Sequence, residues 1–87
     1  MPSLLILFTP SEQAQSRIAF TVTRKVGNAV IRNRVKRWLR EAVRQQLTSI
    51  PEGKNIVVIA HPQSVNERFD GLSDQLQTAW KQMRHGA

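Results

Sequence analysis

Eighty-seven residues support one small domain spanning 1–87 and exclude a multidomain enzyme. Hydrophobic residues make up 40% of the chain, enough for a core, although a domain of this size buries only about 60–65% of its unfolded surface. Thirteen Lys and Arg against six Asp and Glu give a net charge of +7, and the absence of cysteine excludes a disulfide scaffold, a thiolate metal site and a cysteine nucleophile.

In chain order, Ser3 to Thr9 is an apolar run between Pro2 and Pro10, and it predicts a short strand covered on both faces. Its core, Leu4 to Phe8, is as long as any apolar run of the chain. It falls far short of the roughly 18 residues needed to span a membrane and lacks the basic flank of a signal peptide. The chain therefore reads as cytoplasmic, with no membrane partner. Arg17 to Thr23 alternates, with Ile18, Phe20 and Val22 on one side and Arg17, Ala19, Thr21 and Thr23 on the other, as a half-buried strand does. The polar linker from Pro10 to Ser16 suits a hairpin between these two strands.

Gly27 breaks the second strand, and Asn28 is a natural N-cap for a helix running to about Thr48. Val35, Trp38, Leu39, Ala42, Val43 and Leu47 recur every three or four residues and form its apolar stripe. Lys36, Arg40, Arg44, Arg37 and Arg34 fall opposite, with Arg32 at the border. Pro51-Glu52-Gly53 ends the segment, and Asn55 to Ala60 predicts a third strand that stops before Pro62. Ser64-Val65-Asn66-Glu67 matches a capping box. Leu72, Leu76, Ala79, Trp80 and Met83 then mark a second amphipathic helix ending near Gly86, with Gly71 as the place for a kink or a later start. The order strand, strand, helix, strand, helix predicts a small α+β or α/β sandwich with a strand–helix–strand unit at its centre. Parallel strands there would imply the usual right-handed crossover.

The charge is concentrated rather than spread. Residues 24–44 carry Arg24, Lys25, Arg32, Arg34, Lys36, Arg37, Arg40 and Arg44 against Glu41 alone, while the segments on either side sum to zero. A block of this kind points to a polyanionic partner. The glycine turn presents backbone N–H groups at the positive end of a helix, which suits a phosphate. The arginines add planar forks that grip phosphate oxygens in pairs or stack on bases. Asn33 adds a donor and an acceptor between two of them. The plainer alternative is an exposed amphipathic helix with a solvated outer face; such helices, however, intersperse Glu and Asp among their cations.

The stretch from Arg24 to Glu41 resembles the signature of the bacterial ribonuclease P protein subunit. Lys25, Val26, Gly27, Ala29, Val30, Arg32, Asn33, Arg34, Lys36, Arg37, Arg40 and Glu41 match its pattern at fixed spacing, and the flanks RIAFTVTRK and NIVVIAHP resemble its neighbouring strands. The resemblance covers about Leu4 to Met83. It implies an α+β fold in which a small mixed sheet packs with an arginine-rich helix and a C-terminal helix, joined by an unusual left-handed crossover. It implies a non-catalytic protein subunit of an endoribonuclease, whose RNA subunit removes the 5′ leader of precursor tRNA with Mg²⁺. The partners implied are ribonuclease P RNA and the precursor tRNA leader, with no small-molecule substrate and no cofactor or metal held by protein residues. The RNA-binding set is Arg24, Lys25, Asn28, Arg32, Asn33, Arg34, Lys36, Arg37, Arg40 and Arg44. Arg17, Phe20, Thr21 and Thr23 are candidates for the leader cleft, Phe20 also being a natural core residue.

The family usually has a helix and a short strand before the segment matching Leu4–Thr9, whereas here Met1 stands almost directly before that strand. The sheet is accordingly expected to carry a partly open apolar face, unless the C-terminal helix covers it. Trp38 and Trp80 read as core. Two other readings compete: a small ribosomal-type RNA-binding protein, and a nuclease using His61 or His85. Neither histidine has a paired carboxylate or nucleophile pattern around it, and the six acids are scattered.

Overall fold

The strand richest in β-branched residues takes the middle of the sheet. In a computed structural model describing residues 3–85, the elements are β1 (Leu4–Pro10), β2 (Arg17–Val22), α1 (Ala29–Gln45), β3 (Lys54–Ala60) and α2 (Ser64–His85). The strand order is β1-β3-β2, with β1 antiparallel and β2 parallel to β3. This is the small mixed α+β sheet with two helices that the family resemblance implied.

Pairing sets the two faces. Ala60 lies between Leu4 and Val22, Val58 between Ile6 and Phe20, and Ile56 between Phe8 and Ile18. Side chains directly opposite one another share a face, so these rows make a continuous apolar floor. Both helices pack over it, α1 against β2 and α2 against β1, and they pack against each other. Val35, Leu39 and Ala42 of α1 and Leu72, Leu76, Trp80 and Met83 of α2 are buried in the resulting core.

The hairpin expected between β1 and β2 is not formed, because β3 lies between them. Their linker instead crosses the start of β3 and is tied to the turn before it. Ser11 N donates to Gly53 O at 2.8 Å, Gly53 N to Ala14 O at 2.8 Å, and Lys54 N to Ser16 Oγ at 3.0 Å. Nor is β1 covered on both faces. Leu5 and Leu7 remain 42% and 51% exposed on the side away from the helices, beside Val57 at 37%. Two helices on one face leave the other open, which accounts for both the failed two-sided burial and the open apolar face that was expected.

The α1 stripe also ends earlier than its spacing suggests. The helix stops at Gln45, a 3₁₀ turn follows over Leu47–Ser49, and Leu47 points outward, 63% exposed. Gln46 is the cause. Its buried side chain accepts from Trp80 Nε1 at 2.8 Å and donates to Ser73 Oγ at 2.7 Å and Ser73 O at 3.1 Å, cross-linking the helices. In α2 the kink falls at Arg68, with φ of 56°, rather than at Gly71. Gly71 serves the kink indirectly: a Cβ there would stand 2.5 Å from Glu67 Oε2, so glycine makes room for the Glu67 side chain. The capping box is not made either. Ser64 Oγ is buried without a partner, and backbone bonds such as Ser64 N to His61 O at 2.9 Å close the first turn.

Gln46→Ala would leave the buried Trp80 indole N–H without an acceptor, at an expected cost of about 1–3 kcal/mol. Urea unfolding should show a lower midpoint at unchanged slope. A loss below about 0.5 kcal/mol would mean that water replaces the amide at that junction.

Candidate nucleic-acid interface

A short turn delivers the chain from the sheet edge to the basic helix. After β2, Thr23 N still donates to Ala60 O at 3.2 Å, and a single 3₁₀ turn over Arg24–Val26 follows. Val26 is buried and anchors the turn, while Arg24 and Lys25 stay exposed. Gly27 has φ of 156°, and a Cβ on it would lie 3.0 Å from Ile31 Cδ1, so both backbone and space call for glycine. Asn28 caps α1 as predicted, its Oδ1 accepting from Ile31 N at 3.0 Å. That acceptor is committed to the helix, which leaves the Asn28 amide NH₂ for a ligand.

The 17 residues of α1 make a rod about 25 Å long. With Val35, Leu39 and Ala42 inward, Asn33, Arg34, Arg37, Arg40 and Arg44 are exposed, and Arg32 and Lys36 lie half-buried at the flank. The described structure brings together on one helix and its entry turn all ten residues of the predicted RNA-binding set. Among the described residues the one ion pair is Arg44 with Glu41. Arg44 Nε donates to Glu41 Oε2 at 3.0 Å, and the hydrogen bonds from Arg44 hold the Glu41 carboxyl below its usual range and raise the guanidinium in turn. The other cations of the ridge have no carboxylate partner among the described residues. The ridge is thus an array of cationic donors with Glu41 as its one internal carboxylate acceptor among the described residues, suited to phosphate oxygens.

The predicted leader residues divide. Arg17 and Thr21 are exposed on the open sheet face, with Thr23 half-buried at the end of that row, whereas Phe20 points to the opposite face and packs against the core. The alternation of a strand forbids the four from sharing one surface, so Phe20 leaves the group. The core reading of Trp80 holds. Trp38 is only partly buried and, with Phe69, lines a groove bounded by Arg37, Arg40, Glu41 and Arg44. Phe69 was not singled out in the sequence; its spacing from Leu72, Leu76 and Trp80 on one helical stripe was the available signal.

His61 is half-buried, with its backbone N–H on Ser3 O at 2.9 Å. The His85 side chain lies outside the described residues. Among the described residues, no three His, Asp or Glu side chains gather as a metal-binding group, and no helix is long and apolar enough to cross a membrane.

Comparison with known proteins agrees with this geometry. A family model described as Ribonuclease P matches residues 1–84. The ribonuclease P protein component of Bartonella quintana is 52% identical over 62 residues, which are 70% of this chain and 47% of that protein. That of Salinispora tropica is 41% identical over 73 residues, 82% of this chain and 54% of its own. The solved RNase P protein from Thermotoga maritima superposes with a TM-score of 0.82 at 34% identity, covering 91% of this chain and 76% of that one. The chain spans about half the length of the curated relatives it matches.

The cap assignment separates two roles of Asn28. Asn28→Ala should lower stability by about 1 kcal/mol, while Asn28→Ser, which keeps a capping oxygen, should lose less than about half of that. Thermal melts followed by circular dichroism measure both. Equal losses would show that the Oδ1 bond does not hold the helix start.

Proposed function

The chain belongs to the ribonuclease P protein family, and from that premise we propose that it is the RNA-binding protein subunit of ribonuclease P, assisting removal of the 5′ leader from precursor tRNA. One observation carries this reading: a ridge of arginines and lysines along α1 whose only internal ion pair, among the described residues, is Glu41–Arg44. Arg32, Asn33, Arg34, Lys36, Arg37 and Arg40 bind the catalytic RNA, with Arg24, Lys25 and the Asn28 amide at the helix entry and Arg44 at its far end. The forks of Arg32 and Arg34 fix register as well as charge, since a guanidinium can take two oxygens of one phosphate.

The protein supplies no bond-breaking group in this reading. In this reading Mg²⁺ is held by the RNA subunit. The chain's work is to neutralise phosphates that repel one another when RNA subunit and precursor approach, which lowers the Mg²⁺ needed for the same assembly. Arg17, Thr21 and Thr23, along the edge strand β2, are the residues we assign to the leader. Arg17 opens that strand and Thr21 and Thr23 lie toward the end from which the turn into α1 departs, so one strand leads from the first of them to the basic helix.

Reconstitution tests the function. The chain, a bacterial ribonuclease P RNA and a precursor tRNA are mixed at low Mg²⁺, with each component also tested alone. Cleavage is expected only when protein and RNA subunit are combined. Cleavage by the protein alone would contradict the reading and point to a nuclease; no stimulation would leave only RNA binding of a ribosomal type.

Salt titration tests the ridge itself. If about four to six phosphates are neutralised, log K should fall against log salt with a slope of roughly −3 to −5. Replacing Arg32 and Arg34 together by Lys keeps the charge and the slope but should weaken binding through loss of the bidentate forks. A salt-independent affinity would contradict the account.

A further inference from the structure

From the groove at the C-terminal half of α1 we infer a stacking site for one unpaired RNA base, an inference that rests on the RNA-binding reading above. Its floor is aromatic. Trp38 sits at the edge of the buried stripe of α1, and Phe69, next to the kink at Arg68, lines the same groove; both pack on the core and are only partly buried. Its rim is cationic. Arg37, Arg40 and Arg44 border a space of roughly 590 Å³, with Glu41 as the one acid. On that rim the Arg44 guanidinium donates hydrogen bonds to the Glu41 carboxylate.

Charge and shape together select the occupant. An apolar peptide side chain would satisfy the floor but leave the Arg37 and Arg40 guanidinium groups facing no anion. A phosphate alone would satisfy the rim and leave the indole and phenyl rings in contact with water. A nucleotide satisfies both, with its base over Trp38 and Phe69 and its phosphates on the arginines. The base must be unpaired, because in an A-form duplex the flat faces of the bases are occupied by their neighbours. The groove is continuous with the ridge, so an RNA lying along α1 can turn one extruded nucleotide into it without leaving the phosphate contacts.

The test uses the intrinsic fluorescence of the intact chain. Trp80 is 1% exposed and supplies a constant background, whereas Trp38 is partly open and reports on the groove. Titration with a short single-stranded oligoadenylate should quench emission to saturation, and a blunt RNA duplex of the same charge should bind without quenching. Trp38→Phe, in which only Trp80 emits, should show no RNA-dependent change. Trp38→Leu, which keeps an apolar group on the core, should weaken single-strand binding on the order of ten-fold relative to duplex binding, with a thermal melt confirming that it is folded. Binding of both RNAs without quenching, or equal weakening for both by Trp38→Leu, overturns the stacking site and leaves the charge ridge standing. Failure of both RNAs to bind overturns the RNA-binding reading with it.

Discussion

A helix carrying this much like charge can exist only because its other side is buried. Arg32, Lys36, Arg40 and Arg44 follow one another at intervals of four along α1, so each successive pair of like charges is a helical neighbour. Each such pair costs about 0.2–0.5 kcal/mol in water. The opposing term is larger: complete burial of side chains such as Val35 and Leu39 contributes about 1.5–3 kcal/mol apiece. The core therefore holds a self-repelling helix folded, and a polyanion that neutralises its outer face relieves the repulsion. Binding and stability are linked in this protein by that single helix.

Everything around α1 serves its placement. The glycine turn and the Asn28 cap define where it begins, and the Gln46–Trp80–Ser73 bonds tie its end to α2. The parallel pairing of β2 with β3 fixes the sheet edge from which it departs. Both helices lie on one face, so the opposite face keeps Leu5, Leu7 and Val57 in contact with solvent. That apolar strip and the basic ridge are separate surfaces with different chemistry.

Local features of this arrangement were legible in the sequence. The alternation of Ile18, Phe20 and Val22 gave the inward face of β2, the Asn28 cap marked the helix start, and the one-sided charge between Arg24 and Arg44 marked the ridge. Non-local features were not. Strand order depends on which strand can be covered on both edges, and no residue of the Pro10–Ser16 linker reveals that β3 will enter between β1 and β2. At the end of α1, Gln46 accepts a hydrogen bond from Trp80, 34 positions away, a pairing that no local pattern reveals. The kink at Arg68 was signalled only through Gly71, whose bare Cα accommodates Glu67. The inclusion of Phe20 among leader contacts grouped it with residues that strand alternation places on the other face.

The central claim is that the outer face of α1, with the turn leading into it, is where RNA binds. Amide chemical-shift mapping of the folded chain titrated with ribonuclease P RNA fragments tests this most directly, because it reports on every backbone position at once. The account predicts that the largest changes fall on Arg24 to Arg44, with smaller ones at Arg17 to Thr23. Changes centred instead on Leu5, Leu7 and Val57, with α1 unaffected, would contradict it.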